Sequence, residues 1–490
     1  MSRDTAPALV WFHRDLRLRD QASLHAAVAS GRPVLPFFVL DDETSGRWAT
    51  GGAQRWWLHH TLQSLAADLR ARGAGLLLLR GRFEDVVPAL CERTGAAELH
   101  VGQPTEPWAR GALDRLRTRL GDRLQVHRTT TLFDPDEIRT QSGGGYAVFS
   151  AFARACRARF RAQEPLPAPE HIPGAPAPPG DALADWRLLP TKSDWAGGLR
   201  ETWVPGEAEA QRRLLRIVAQ VVPRYELTRN LPGQPGTSML SPHLHWGEIS
   251  AREVWHAVER AGEHAGIGAY LNEILWREFS KHLLWHHPDL PEQELRPEFR
   301  RMPWRADAPA LRAWQRGRTG IPIVDAGMRQ LWALGWMHNR VRMIVASFLV
   351  KHLMIRWQEG EAWFWDTLVD ADLASNSASW QWVAGCGADA VPFFRVFNPA
   401  LQGAKFDPDA TYVRRWVPEV AGLETRFIHA PWEAPEDELR RAGVRLGETY
   451  PFPVINLRRG RSEPSKPMVR SPLGPSRQPE ATRSNPDACI

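Results

Sequence analysis

Across its first 130 residues the chain alternates short apolar runs with helical patterns. Five runs have the length and aliphatic content of buried strands, and three amphipathic segments separate them. This alternation predicts a Rossmann-like, doubly wound parallel sheet, because parallel strands require crossover connections. No GxGxxG motif follows the first run, so we expect no dinucleotide on the usual phosphate turn. The predicted strands are Ala8–Phe12, Val34–Leu40, Gly75–Leu79, Glu98–Val101 and Leu124–Val126, and the predicted helices are Ala53–Arg72, Glu84–Arg93 and Trp108–Leu120.

The remainder of the chain has a different pattern. Residues Pro165–Gly180 contain too many prolines for a regular element, so they predict an extended connection between domains. From about Ala208 to Leu457 the periodicity is helical almost throughout, and the following residues are rich in Pro, Ser and Arg. We therefore predict an α/β domain at 1–135, a linker at 136–205, an all-α domain at 206–457 and a disordered basic tail at 458–490.

Composition narrows the class of function. A chain of 490 residues exceeds one ordinary core, and its net charge of +6 suits a polyanionic partner such as DNA, although many basic proteins bind none. Seven charged residues among the first thirty argue against a secretory signal, and no apolar run reaches membrane-spanning length. The four cysteines lack CxxC spacing, which favours reduced thiols in a cytoplasmic protein over disulfides or a zinc site.

Two helical segments place polar and aromatic residues on one face. Both use the spacing i, i+3, i+4, which brings three side chains together on a helix. The members are Glu273, Trp276 and Arg277 in the first segment, and Asn339, Arg342 and Met343 in the second. A polar turn at Gly236–Pro242 precedes another helical pattern, and its hydroxyl and amide groups suit either a diphosphate or an ordinary helix cap. Most of the 23 tryptophans are expected to serve packing.

Three stretches of the sequence resemble the photolyase/cryptochrome family. They are WFHRDLRLRD at Trp11–Asp20, LNEILWREF at Leu271–Phe279, and the tryptophan-rich segment Thr319–Pro399. The resemblance extends to about Leu457 and is closest to the class I cyclobutane pyrimidine dimer photolyases. It implies an α/β antenna-type domain followed by an all-α domain that binds FAD. It also implies a monomeric cytoplasmic enzyme whose partner is UV-damaged DNA, single- or double-stranded.

The resemblance further implies which residues bind FAD. Asn376 falls where the family faces flavin N5. Plant cryptochromes usually have Asp there and animal cryptochromes Cys, so Asn favours a photolyase that keeps its flavin reduced. Arg342 and Asp370 match an ion pair beside the isoalloxazine ring, and Tyr270 stands where relatives commonly have Trp. The implied FAD contacts are Tyr225, Thr237, Ser238, Met239, Leu240, Ser241, Tyr270, Arg342, Asp370, Ala371 and Asp372.

The resemblance also implies a pocket for a flipped lesion. Glu273 is expected to bond the base edge, and Asn339 discriminates between chemistries because (6-4) photolyases usually carry His there. The implied catalytic residues are Glu273, Asn339, Met343 and Asn376. The implied lesion and DNA contacts are Arg229, Glu273, Trp276, Arg277, Lys281, Asn339, Arg340 and Trp382. Trp304, Trp357 and Trp380 align with the family's electron-transfer triad.

The expected function is light-driven repair, in which reduced FAD donates an electron to a flipped cyclobutane dimer and the ring splits. Three alternatives stay open, namely a blue-light receptor of the cryptochrome type, repair of (6-4) photoproducts, and a plain DNA-binding protein. The resemblance implies a second, antenna chromophore and leaves folate, deazaflavin and flavin open. The paired histidines His243/His245 and His286/His287 lack a third ligand, so no metal site is expected.

Overall fold

The N-terminal part of the protein is a five-stranded sheet covered by helices. In the computed structural model, which describes residues 6–160, 163–390, 392–393 and 395–457, every strand pair is parallel. The predicted tail at 458–490 lies outside the described residues. In chain order the elements are β1 (Ala8–Phe12), α1 (Ala22–Ala29), β2 (Val34–Leu40), α2 (Gly52–Ala71), β3 (Leu77–Arg80), α3 (Phe83–Thr94), β4 (Glu98–Gly102), α4 (Pro107–Leu120) and β5 (Leu124–His127).

The predicted doubly wound sheet is confirmed. Its strand order is β3-β2-β1-β4-β5, so β2 and β3 extend the sheet on one side of β1 and β4 and β5 extend it on the other. Three strands are buried along most or all of their length, which explains their continuous apolar sequence. Residues that follow β1 and β4 therefore lie together at the carboxyl edge of the sheet, at the point where the winding reverses. They include His13, Arg14, Thr105 and Glu106.

The rest of the described chain is helical, as the periodicity predicts. An extended connection first returns along the sheet, where Gly174 bridges Val34. The helices are α5 (Phe149–Arg159), α6 (Gly197–Thr202), α7 (Glu207–Arg216), α8 (Tyr225–Thr228), α9 (Ser241–Trp246), α10 (Ala251–Glu259), α11 (Gly266–His286), α12 (Ala308–Gln315), α13 (Pro322–Leu334), α14 (Asn339–Ser347), α15 (Trp357–Thr367), α16 (Leu373–Ala384), α17 (Pro399–Phe406), α18 (Thr411–Trp416), α19 (Thr425–Ile428) and α20 (Glu436–Arg441). None of the helices in the described part is long and apolar enough to cross a membrane.

Helix α16 and three helices that pack around it shape the centre of the helical part. Helix α11 packs against α16, and α16 also packs against α15 and α14. The close fit of α15 on α16 depends on Gly360, because a Cβ there would come within 2.1 Å of the Trp380 ring. The polar face of α11 and the N-terminal turn of α16 meet across a cavity on the side toward the α/β domain.

Candidate active site

A large cavity opens between α9, α11, α14 and α16. Its volume, counted together with the solvent at its mouth, is about 1220 Å³, and clefts of this kind commonly bind small molecules and cofactors. Most of the residues that the sequence singled out line this one cavity. They are Tyr225, Thr237, Ser238, Met239, Ser241, Tyr270, Glu273, Trp276, Arg277, Asn339, Arg342, Asp370, Ala371, Asp372 and Asn376.

The polar turn before α9 forms one wall. Gly236 lies so close to α8 that a Cβ would come within 2.5 Å of the Thr228 carbonyl oxygen. Met239 adopts a left-handed conformation with φ of 53°, and its neighbour Ser238 accepts a hydrogen bond from the Leu240 backbone N–H. The turn therefore presents Thr237, Ser238 and Ser241 to the cavity, while Leu240 itself is buried in the helical core.

An ion pair lies beside this turn. Arg342 Nη2 lies 2.7 Å from Asp370 Oδ2, and its Nε donates to the Met337 carbonyl oxygen. The hydroxyl of Ser241 donates to the same Asp370 oxygen at 2.6 Å. The other oxygen, Oδ1, is buried and has no donor among the described residues. A buried acceptor without a donor is costly, so this carboxylate suits a ligand that brings an N–H group into the cavity.

The face of α11 supplies a second charged group. Glu273 Oε1 lies 2.6 Å from Arg229 Nη1, and both side chains are largely buried. Trp276 is stacked on Phe149 with ring centroids 3.7 Å apart, so one of its faces is already covered. Arg277 donates to the carbonyl oxygen of Thr130 and pairs with Glu278, which ties this face to the α/β domain. The helix therefore offers an anchored carboxylate and an indole edge to the cavity.

The N-terminal turn of α16 carries the remaining polar groups. Asp372 is the N-cap, and its side chain accepts from the Ser375 N–H at 2.9 Å. One turn later, the Nδ2 of Asn376 donates to the Glu361 carbonyl oxygen at 3.0 Å. That bond leaves the carbonyl oxygen of the Asn376 amide for the cavity, which this residue lines. Burial raises the pKa of Asp372, but attraction to Lys281, His245 and Arg277 outweighs it and leaves the pKa below its ordinary value.

The three aligned tryptophans show a graded exposure. Trp380 and Trp357 are fully buried, and Trp304 is partly exposed against the edge of the helical core. Trp380 packs edge-on against Phe364, a residue of the cavity wall, with ring centroids 5.1 Å apart. The indole N–H of Trp357 donates to Glu294 at 3.2 Å. Two of the three aligned tryptophans are therefore buried and the third lies nearer the surface, and their role in electron transfer stays a prediction.

Several expected contacts lie away from the cavity wall. The prediction that Lys281 meets DNA phosphates is wrong, because its side chain is buried and bound to Asp372 and Thr105. Arg340 is also buried, with its guanidinium on Asn230 and over the Phe406 ring. Met343 and Trp382 are buried in the helical core and do not line the cavity.

Sequence reasoning missed part of the lining. The additional residues are Leu244, His245, Ile274, Ser280, Trp336, Met337, Phe364, Leu368, Ser375 and Ser379. Two of them were accessible from helical spacing, because Ser280 follows Arg277 by three residues and Ser379 follows Asn376 by three. The others depend on how distant segments meet, which the sequence does not indicate. Among the described residues, no group of three or more His, Cys, Asp or Glu is arranged to hold a metal ion.

Comparison with known proteins agrees with this geometry. Residues 8–170 match the family described as DNA photolyase, and residues 270–469 match the FAD binding domain of DNA photolyase. A deoxyribodipyrimidine photo-lyase of Agrobacterium fabrum is 47% identical over 93% of this chain and 96% of its own length. Cryptochrome-1 of Arabidopsis thaliana is 36% identical over 92% of this chain and 68% of its own length.

A solved structure extends the likeness to the whole fold. The crystal structure of a bacterial class III photolyase from Agrobacterium tumefaciens superposes with a TM-score of 0.91 at 46% identity, covering 94% of this chain and 97% of that one. The fold and the cavity define a FAD-binding enzyme of the photo-lyase type that acts on DNA. The chain belongs to the photolyase/cryptochrome family. The expected assignment to class I is not confirmed, since this similar structure is a class III photolyase.

The residues present fit FAD. The turn at Thr237–Ser241 offers hydroxyl groups of the kind that bind a diphosphate. Asp370 Oδ1 is an acceptor that needs a donor, and the Asn376 amide can accept from a second ring N–H. Arg342 places a guanidinium beside these acceptors, where it would stabilise negative charge on a reduced flavin ring.

Proposed function

We propose that this protein repairs cyclobutane pyrimidine dimers in UV-damaged DNA with light. One observation supports the proposal above all others. The residues expected to contact a lesion and the residues expected to bind FAD line one cavity. Glu273 and Asn339 line the same cavity as Asp370 and Asn376. A dimer that leaves the DNA stack would enter the cavity that also holds the flavin.

The residues of the cavity have distinct roles in this proposal. Bound FAD in its reduced state supplies the light-excited electron that splits the two bonds between the pyrimidines and is then returned. Glu273, held by Arg229, accepts hydrogen bonds from the base edge and stabilises charge there. The edge of Trp276 gives an apolar wall. Asn376 and Asp370 orient the flavin, and the tryptophans Trp380, Trp357 and Trp304 give an electron a route from the surface.

Different observations support the proposed lesion type and the proposed class of enzyme. Asn339 supports cyclobutane dimers over (6-4) photoproducts, and Asn376 supports a photolyase over a cryptochrome-type receptor. Similarity to a class III structure favours that class over class I. We propose that the enzyme acts as a cytoplasmic monomer on single- or double-stranded DNA. The proposal keeps the domain boundaries at 135, 205 and 457, with an antenna of folate, deazaflavin or flavin type still open.

The test uses a thymine dimer in a short single-stranded oligonucleotide. Reduced, FAD-loaded protein should restore thymine absorbance in blue light and leave the dimer intact in darkness. Glu273→Ala should lower the repair yield about tenfold or more, because it removes a group that stabilises charge at the base. Glu259→Ala, at the exposed end of α10, is the matched control and should repair normally. Absence of repair by the wild-type protein with FAD bound would contradict the proposal and favour a receptor or a (6-4) enzyme.

A further inference from the structure

Lys281 is a buried cation that the proposed reaction leaves unused. It lies on α11 beyond the cavity-lining residues Arg277 and Ser280, with only 4% of its surface exposed. Its Nζ donates to the Thr105 hydroxyl at 3.1 Å and lies 3.4 Å from Asp372 Oδ2. Burying a lysine is costly unless it is paired and hydrogen-bonded, and these two contacts offset that cost.

The partner of Lys281 begins the helix that carries Asn376. Asp372 caps α16 through the Ser375 N–H, and its carbonyl oxygen accepts from the backbone N–H of Asn376 at 2.8 Å. A shift of the Asp372 side chain therefore moves the first turn of α16 and the Asn376 amide with it. Asp372 also lines the flavin cavity directly, so one residue connects the lysine to two flavin-facing positions.

The third member of the contact belongs to the α/β domain. Thr105 follows β4 at the carboxyl edge of the sheet, where it is buried. Two contacts therefore connect the sheet edge, through α11, to the start of α16: Lys281 with Thr105 and Lys281 with Asp372. We name these three residues and their contacts the Lys281 link.

We infer that Lys281 is a positioning residue that fixes Asp372 and the start of α16 against the flavin, with the sheet edge as its support. The inference deepens the proposed function, because it concerns the cofactor site of that reaction. It assigns Lys281 a role in holding the FAD site instead of a contact with DNA. It predicts changes in FAD affinity and in the flavin midpoint potential, and both can be measured without a DNA substrate.

The charge of Asp372 gives the link a pH signature. Burial raises the pKa of Asp372, and Lys281 is the strongest attraction that opposes this effect. Without the lysine, less attraction opposes the effect of burial and the pKa of Asp372 rises. Asp372 then takes up a proton at a higher pH than in the wild-type protein. The charged and titratable groups around Asp372 are Arg14, Glu106, His245, Arg277 and Lys281.

The experiment measures FAD affinity and the flavin midpoint potential of the purified full chain between pH 5 and pH 8. Lys281→Met should weaken FAD binding roughly tenfold or more, because it leaves a buried carboxylate without its main counter-ion. The loss should shrink as the pH falls, because protonation removes the uncompensated charge of Asp372, and the midpoint potential should shift. Lys281→Arg, which keeps the charge, should recover most of the affinity. Thr105→Val should shift both quantities in the same direction by a smaller amount.

Lys351→Met is the matched control. Lys351 is a second buried lysine of the helical part, and its amine binds the carbonyl oxygens of Pro392 and Arg395 away from the flavin cavity. Its replacement should leave the midpoint potential unchanged, because Lys351 contacts no residue of the flavin cavity in the part of the chain that the structure describes. Equal effects of Lys351→Met and Lys281→Met, or an unchanged potential in folded Lys281→Met, would overturn the inference. Failure of dimer repair with these flavin effects intact would contradict the proposed function alone.

Discussion

Glu361 is a carboxylic acid buried directly behind the flavin-facing amide. Its backbone carbonyl accepts from Asn376, and its Oε1 accepts from the Ser377 hydroxyl at 2.5 Å. The other side-chain oxygen has no partner among the described residues. Burial raises the pKa of Glu361 well above its ordinary value, and the Ser377 hydrogen bond offsets only part of that effect. Burial therefore favours the neutral acid, the form that places no negative charge behind the Asn376 amide.

The neutral acid predicts an unusual pH dependence of stability. Native Glu361 keeps its proton above the pH at which the unfolded chain releases it. Between those two pKa values this group lowers the free energy of unfolding by about 1.4 kcal/mol per pH unit as pH rises. Glu361→Gln should remove this slope. Urea unfolding between pH 5 and pH 8 measures how the free energy of unfolding depends on pH. Glu359→Gln, on the exposed side of the same helix, is the control and should keep the wild-type slope. Equal slopes in all three proteins would contradict a neutral Glu361.

The family resemblance predicted many residues of the cavity but not their hydrogen-bond partners. Glu273 and Asn376 line the cavity as expected. Lys281 was assigned to DNA as part of the lesion pocket that the resemblance implies. Its true partners, Thr105 and Asp372, are 176 and 91 positions away in the sequence. Such contacts arise only when the sheet edge docks on α11, and no local pattern in the sequence encodes that docking.

At the scale of elements, the sheet was predictable and the turns were not. All five strands lie within two residues of their predicted positions, because buried parallel strands are continuous apolar runs. The turn at Gly236–Ser241 was ambiguous between a phosphate site and an ordinary cap. The structure shows why it needs glycine, since Gly236 touches the backbone of α8. That contact joins two segments whose approach the sequence does not reveal.

The tight approach of this turn to α8 gives a prediction for FAD binding. Gly236→Ala would place a Cβ 2.5 Å from the Thr228 carbonyl oxygen, so the turn must move. We expect FAD affinity to fall about tenfold, with a stability loss of about 1–3 kcal/mol from overpacking. FAD titration followed by fluorescence measures the first quantity, and thermal unfolding the second.

A second glycine provides the control for this change. Gly268 lies in the first turn of α11, where an added Cβ meets no described atom within 4 Å. Gly268→Ala should leave FAD affinity unchanged and raise stability by up to about 1 kcal/mol, because alanine favours a helix. Wild-type FAD affinity in Gly236→Ala would show that the turn does not bind the cofactor.

At the scale of the molecule, the two domains share buried polar contacts in addition to an apolar interface. Arg17, which follows β1, donates to the carbonyl oxygens of Gly247 and Thr129. Glu278 on α11 accepts from the Leu132 N–H at 2.7 Å. Buried donors and acceptors of this kind lose their partners if one domain unfolds alone. The cavity walls therefore depend on a sheet edge that belongs to the other domain.

This sharing predicts that both domains unfold in one transition, although chains of this length often unfold in steps. The indole N–H of Trp57 on α2 donates to Glu248 at 2.8 Å, and both residues are fully buried. Trp57→Phe should lower the free energy of unfolding by about 1–3 kcal/mol, because it removes a donor from a buried carboxylate. The unfolding temperature should fall by the same amount in both domains, and hydrogen exchange in β1 and in α16 follows each domain separately. Trp332→Phe, which changes an exposed tryptophan of α13, should leave the unfolding temperature unchanged. Separate transitions in the wild-type protein would mean that the α/β domain holds its fold without the helical domain, and that the Lys281 link joins two independently stable units.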